Sequence, residues 1–127
     1  MTWQGFLAVG VGGALGCWLR WGLGIVLNPM ISGLLLGTLA ANLLGGYLVG
    51  VAVEYFIRND TIAPAWRLFV IVGFLGGLTT FSSFSAEAIG LLNSREAGWM
   101  LALVGSHLIG SLVMTYLGMM TVHWLQS

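Results

Sequence analysis

Apolar residues run along this chain in four long blocks, and what separates the blocks is short and polar. The blocks cover residues 3–27, 31–57, 65–92 and 98–125. Between them stand Asn28-Pro29, Arg58-Asn59-Asp60 and Asn93-Ser94-Arg95-Glu96, residue types that end helices and form turns. A helix advances about 1.5 Å per residue and the hydrocarbon core of a bilayer is about 30 Å thick, so about 20 apolar residues make one crossing. Every block is long enough. The pattern predicts one all-α domain over residues 1–127, built of four transmembrane helices with no separate soluble domain. The first block is expected to remain as a membrane helix: no Lys or Arg precedes it, and its apolar run is too long for a signal peptide.

Composition agrees with that pattern and narrows the function. Apolar side chains make up 58% of the chain and charged ones only 6%, against about a quarter charged in soluble domains. There are four Arg, no Lys and a net charge of zero, which removes the basic footprint of a nucleic-acid binder. The single Cys17 leaves no intrachain disulfide and no cysteine-based metal framework. No enzyme is expected, because Glu87 and His107 have no nucleophile or metal partner at a recognisable spacing.

Charge placement bears on orientation. Arg58 and Arg67 lie toward the face that carries both termini, and Arg95 lies toward the other, with Arg20 reaching that way from about two turns inside the first helix. Loop Arg and Lys normally decide which way a bundle inserts, and here the bias is one residue or zero. A chain so indifferent can insert both ways and pair with itself as an antiparallel homodimer whose twofold axis lies in the membrane plane. Arg20 and Glu87 lie farther inside their blocks than the other charges. Interfacial snorkelling competes with a functional role for both.

Glycine is abundant for another reason. Gly12 and Gly16, Gly46 and Gly50, and Gly73 and Gly77 are each spaced by four, and Gly37, Ala41 and Gly45 form a further stripe. Small residues at that spacing let membrane helices approach closely. The run from Gly73 to Ser85 is different. It combines Gly76-Gly77 with Thr79, Thr80, Ser82, Ser83 and Ser85, interrupted by Phe81 and Phe84, and it predicts a break in the third helix near Gly76–Ser82. Non-helical backbone at that depth has to be buried in protein or line a polar cavity. Its free carbonyls suit a small hard cation. Asn42, in the middle of the second block, needs a polar partner, and His107, Ser111 and Thr115 form a ladder on one face of the fourth.

These residues carry a resemblance. Gly12-Gly13-Ala-Leu-Gly16 with Arg20-Trp21, Gly37-Thr38-Leu39 followed by Asn42, Gly45, Tyr47 and Gly50, and Gly73-Phe74, Gly76-Gly77, Thr79-Thr80-Phe81-Ser82, Phe84-Ser85 and Glu87 together resemble the Fluc (CrcB) family of small fluoride channels. Trp21, Tyr47, Ser83 and His107 stand where that family more often has Tyr, Phe, Thr and a smaller polar residue. The resemblance implies an antiparallel, dual-topology homodimer in the inner membrane of a prokaryote, with two pores and a structural sodium ion (Na+) at the dimer centre. By motif position, the Gly76 and Thr79 carbonyls would ligate the sodium. Asn42, Phe81, Phe84, Ser82, Ser111 and Thr115 would lie along the fluoride pathway and Arg20 near its mouth, with Glu87, His107 and Tyr47 as further candidates.

The physics of such a pore is consistent with these residue types. Fluoride is small and strongly hydrated, so its water must be replaced by compact donors such as an amide or hydroxyl, without the trap of a full opposite charge. Aromatic rings are electropositive at their edges, so Phe81 and Phe84 turned edge-on suit an anion. Two other classes compete. A small multidrug transporter would carry a carboxylate deep in its first helix, where this chain has Arg20 and no acid. A non-transporting assembly subunit would account for the glycines and leave the Thr79-Thr80-Phe81-Ser82 cluster unexplained.

Overall fold

Thr2 starts the first helix: its hydroxyl accepts the Gly5 N–H at 3.0 Å, the cap that leaves one fewer orphan donor at a helix start. In the computed structural model, which describes residues 1–127, that helix is α1 (Trp3–Leu27). Pro29 lies in a short 3₁₀ turn, Asn28–Met30, and Gly33 adopts a φ of +85°, the left-handed region that glycine enters freely. The chain therefore turns through 31–35, and α2 begins at Leu36, later than the apolar block itself, and runs Leu36–Arg58.

The third crossing is made of two helices. Residues 64–78 form α3, which opens as Pro64–Arg67, continues through a π-helical stretch at Leu68–Leu75 and closes as Gly76–Leu78. Thr79, Thr80 and Phe81 are not helical, and α4 then runs Ser82–Asn93. The break expected near Gly76–Ser82 thus falls at Thr79–Phe81. After a turn in which Arg95 takes a φ of 59°, α5 runs Ala97–Leu125. Four stretches are long and apolar enough to cross a membrane: Trp3–Met30, Leu36–Arg58, Pro64–Asn93 and Ala97–Leu125.

Two glycine seams hold these helices together. A Cβ placed on Gly12 or Gly16 of α1 would fall on the carbonyl oxygens of Phe69 and Phe74 in the π-helical stretch, and one on Gly73 or Gly77 would fall on those of Val9 and Gly13. The second seam joins α2 to α5. Gly46 and Gly50 lie against the Ser111 and Thr115 carbonyls, and Gly118 lies against that of Tyr47. Without side chains at these points the backbones touch, which is how helices associate where lipid offers no hydrophobic drive. Ala41, Leu75 and Leu78 are buried where the two pairs meet.

Candidate functional site

The break between α3 and α4 releases backbone groups that an unbroken helix would have paired. Thr79 N–H turns back to the Leu75 carbonyl at 3.0 Å, and the Thr79 hydroxyl donates to the same oxygen at 2.8 Å. The peptide groups of Thr80 are taken by Asn42 from α2. Its Oδ1 accepts the Thr80 N–H at 2.8 Å and its Nδ2 donates to the Thr80 carbonyl at 2.9 Å. One amide side chain thus replaces both helical hydrogen bonds of one residue, which answers the demand that Asn42 makes at this depth.

Two other side chains complete the repair. Arg20, half-buried on α1, donates from Nε to the Gly77 carbonyl at 3.1 Å, while its Nη2 lies 3.9 Å from Cys17 Sγ. On the far side of the break, the Thr80 hydroxyl accepts the Ser83 N–H at 3.2 Å and so caps α4. Ser82 Oγ lies 3.2 Å from that hydroxyl, and Ser85 Oγ donates to the Phe81 carbonyl at 2.9 Å. The Gly76 carbonyl, by contrast, receives no hydrogen bond from the Thr79–Phe81 segment, because Thr79 and Thr80 direct their N–H groups elsewhere.

A cleft of about 720 Å³ opens beside the break. Asn42, Gly76, Thr79, Thr80, Phe81 and Phe84 line it, together with His107, Ser111 and Thr115 from α5. The structure therefore brings Gly76, Thr79, Thr80, Phe81 and Phe84 of the third crossing together with Asn42 and the polar ladder, while Ser82 and Ser85 of the same motif do not line the cleft. Phe81 and Phe84 meet edge-on, with centroids 5.5 Å apart and planes at 66°, and Phe84 lies 4.6 Å from the His107 ring. His107 is 4% exposed. Its Nδ1 lies 3.0 Å from Asn42 Nδ2, and its Nε2 is buried with no protein partner. The Thr115 hydroxyl donates within its own helix, to the Ser111 carbonyl at 2.9 Å.

Arg20 stands apart, in a second cleft of about 540 Å³ shared with Cys17, Trp21, Asn28 and Thr38. Tyr47 also lies outside the 720 Å³ cleft, its hydroxyl paired with Thr121 Oγ1 at 2.9 Å. Glu87 has a task that sequence reasoning missed. Its Oε1 accepts the Leu35 N–H at 2.7 Å while Asn28 Oδ1 accepts the Gly37 N–H at 2.8 Å, so two side chains from outside α2 satisfy amides at its start, one on the residue just before the helix and one in its first turn. A carboxylate at a helix N-terminus also meets the positive end of the macrodipole. The only sequence signal for this was the absence of a capping residue at Leu35 itself.

Comparison with known proteins adds to this geometry. Residues 7–119 match the family model described as "CrcB-like protein, Camphor Resistance (CrcB)". The chain is 60% identical to a protein of Nitrosospira multiformis named "Fluoride-specific ion channel FluC", over 93% of this chain and 92% of that protein. Proteins of the same name from Pseudomonas aeruginosa and Dechloromonas aromatica are 50% and 56% identical, covering 97% and 92% of this chain and 97% and 87% of theirs.

Proposed function

The chain belongs to the CrcB-like family, and from that premise we propose that it is a fluoride-selective channel that lets fluoride leave the cytoplasm down its electrochemical gradient. The observation that carries the reading is the cleft in which a broken helix, two Phe rings packed edge to face against each other, and neutral polar side chains converge. Phe81, Phe84, Ser82, Ser111, Thr115 and Asn42 would line the pathway, and Arg20, in its separate cleft, would attract anions by its field alone. Moving one charge through 100 mV is worth about 2.3 kcal/mol, so an inside-negative potential drives an anion outward with no coupling chemistry. The protein would then reside in the inner membrane of a prokaryote and confer fluoride resistance.

In the same proposal the working unit is an antiparallel homodimer with two pores. Three features support it. Arg58, Arg67, Glu54 and Asp60 lie toward one face and Arg20, Arg95, Glu87 and Glu96 toward the other, so each face has two cations and two anions. The exposed tryptophans divide as evenly, with Trp3, Trp66 and Trp124 against Trp18, Trp21 and Trp99. Neither charge nor aromatic belt favours one orientation. The break also leaves Phe81 79% exposed, on backbone that cannot face lipid directly.

A second copy meeting this surface would bring two sets of carbonyls together, and the donor chemistry suits sodium. The Gly76 carbonyl is left without a partner from the break, and main-chain oxygens are hard ligands of the kind alkali cations take. Gly76 and Thr79 would hold the ion from both subunits, and its charge would fix the two broken segments against each other.

The test is efflux from liposomes loaded with fluoride or chloride, read by ion-selective electrodes with potassium and valinomycin as the shunt. Rapid fluoride loss without chloride loss is expected; proton-coupled, drug-dependent or absent flux overturns the reading. Phe81→Ile should stop fluoride flux while the dimer elutes unchanged, and undiminished flux from that folded variant removes Phe81 from the pathway.

A further inference from the structure

We propose that the Nε2–H of His107 is a direct hydrogen-bond donor to the permeating anion, and that Asn42 acts as the positioning residue that puts the proton there. The inference deepens the channel reading and rests on it.

The direction of every hydrogen in this network follows from one fixed bond. Thr80 N–H is a donor and nothing else, so the Asn42 atom facing it at 2.8 Å must be the carbonyl oxygen. The amide nitrogen is then on the other side, where one of its hydrogens goes to the Thr80 carbonyl at 2.9 Å. Turning the amide over would set NH₂ against N–H and oxygen against oxygen, so the orientation is determined by the network. The second amide hydrogen points at His107 Nδ1, 3.0 Å away. An amide nitrogen accepts no hydrogen bond, so Nδ1 must present its lone pair. A neutral imidazole with a bare Nδ1 carries its proton on Nε2.

That Nε2 is buried and finds no partner in the chain, on a residue only 4% exposed. Burying a donor unpaired costs about 1–3 kcal/mol, and native proteins seldom tolerate it without a reason. The ring shares its cleft with Phe81, Phe84, Ser111 and Thr115, and His107 is the one titratable side chain in that lining. A neutral N–H with no acceptor in the chain, in a cleft it shares with Phe81 and Phe84, suits a compact anion. It can replace one water of hydration without the grip of a lysine or arginine. Both hydrogens of Asn42 are spent on Thr80 and His107, so in this arrangement Asn42 acts on the ion through the histidine.

The test uses the full chain in lipid with ring-¹⁵N-labelled histidine, the two histidine signals being assigned with a His123→Gln variant. Wild type should show a protonated Nε2 and an unprotonated Nδ1, and the Nε2 signal should move when chloride is exchanged for fluoride. Asn42→Asp offers Nδ1 an acceptor in place of a donor and should transfer the proton to Nδ1, a spectroscopic change that simple loosening of the fold would not produce. In liposomes, His107→Phe should reduce fluoride flux by about tenfold, the rate equivalent of one lost hydrogen bond. His107→Gln, whose terminal amide restores a donor near Nε2, should recover most of it. An unprotonated Nε2 in wild type, a signal indifferent to fluoride, or wild-type flux from His107→Phe overturns the inference while the channel reading stands. No fluoride flux from wild type overturns both.

Discussion

The α1–α3 seam and the break that follows it are built from the same few residue types, yet they solve opposite problems. In the seam, Gly12, Gly16, Gly73 and Gly77 sit in regular or π-helical backbone whose amides are already paired, and the missing side chains serve only to bring two backbones into contact. At the break, Gly77 and the threonines after it sit where pairing stops, and the loose backbone groups are held by side chains from other helices: Arg20 on the Gly77 carbonyl, Asn42 on both groups of Thr80. Contact maintains the first and polar capture the second. Gly77 belongs to both, its missing Cβ facing α1 and its carbonyl facing Arg20.

The two regions should therefore fail differently. Gly16→Leu attacks the seam at a point where the opposing atoms are the Phe74 carbonyl and the Leu78 amide. Backbone cannot move aside as a flexible side chain can, so the helices must part along their length. This variant should yield no monodisperse protein in detergent, whereas Gly10→Ala on the same helix, where a Cβ meets nothing within 4 Å, should purify like wild type. A folded Gly16→Leu protein would show that the seam is looser than its contacts imply. Asn42→Ala attacks the break. It orphans the Thr80 N–H and carbonyl inside the membrane, at about 1–3 kcal/mol for each group, so the folded protein should survive with a much lower midpoint of unfolding and with fluoride flux lost. Equal stability to wild type would mean that water replaces the amide.

The same contrast explains what the sequence conveys. Four crossings and both seams are legible because hydropathy and a spacing of four residues are local signals, and each glycine pair proves to face a backbone. The break is legible as a density of hydroxyls beside Gly76-Gly77, placed to within a turn. The partners are not legible. Asn42 reaches Thr80, Arg20 reaches Gly77 and Glu87 reaches Leu35 across large sequence separations, and nothing local to Asn42 or Glu87 says which amide it will meet. The π-helical stretch at Leu68–Leu75 is equally silent in the pattern, because its residues are uniformly apolar and any helical period fits them.

Within the break, the hydroxyls divide by task. Thr80 Oγ1 accepts from Ser83 N–H at 3.2 Å and so caps α4. Thr80→Val keeps the shape and removes the acceptor, and it should lower stability by about 1 kcal/mol, the usual worth of such a cap. The change is to be read from denaturant unfolding in detergent. A loss as large as that of Asn42→Ala would mean that capture at the break depends on the hydroxyl cluster as a whole instead of on the amide.

The smallest effect belongs at the second seam, where a polar bond lies on top of backbone contact. Gly118 already seats the Tyr47 carbonyl against α5, and the Tyr47 hydroxyl adds a bond to Thr121 Oγ1 at 2.9 Å. Thr121 gives its own proton to the Leu117 carbonyl at 2.8 Å, so Tyr47 must be the donor between the two hydroxyls. Interhelical hydrogen bonds in membranes average about 0.6 kcal/mol, because the separated helices also find polar partners. Tyr47→Phe keeps the ring and the glycine contact and strands no donor on Thr121, so its unfolding free energy should fall by about that amount and no more. A loss several times larger would mean that this seam, too, relies on polar capture, and the distinction between the two regions would hold only for α1 and α3.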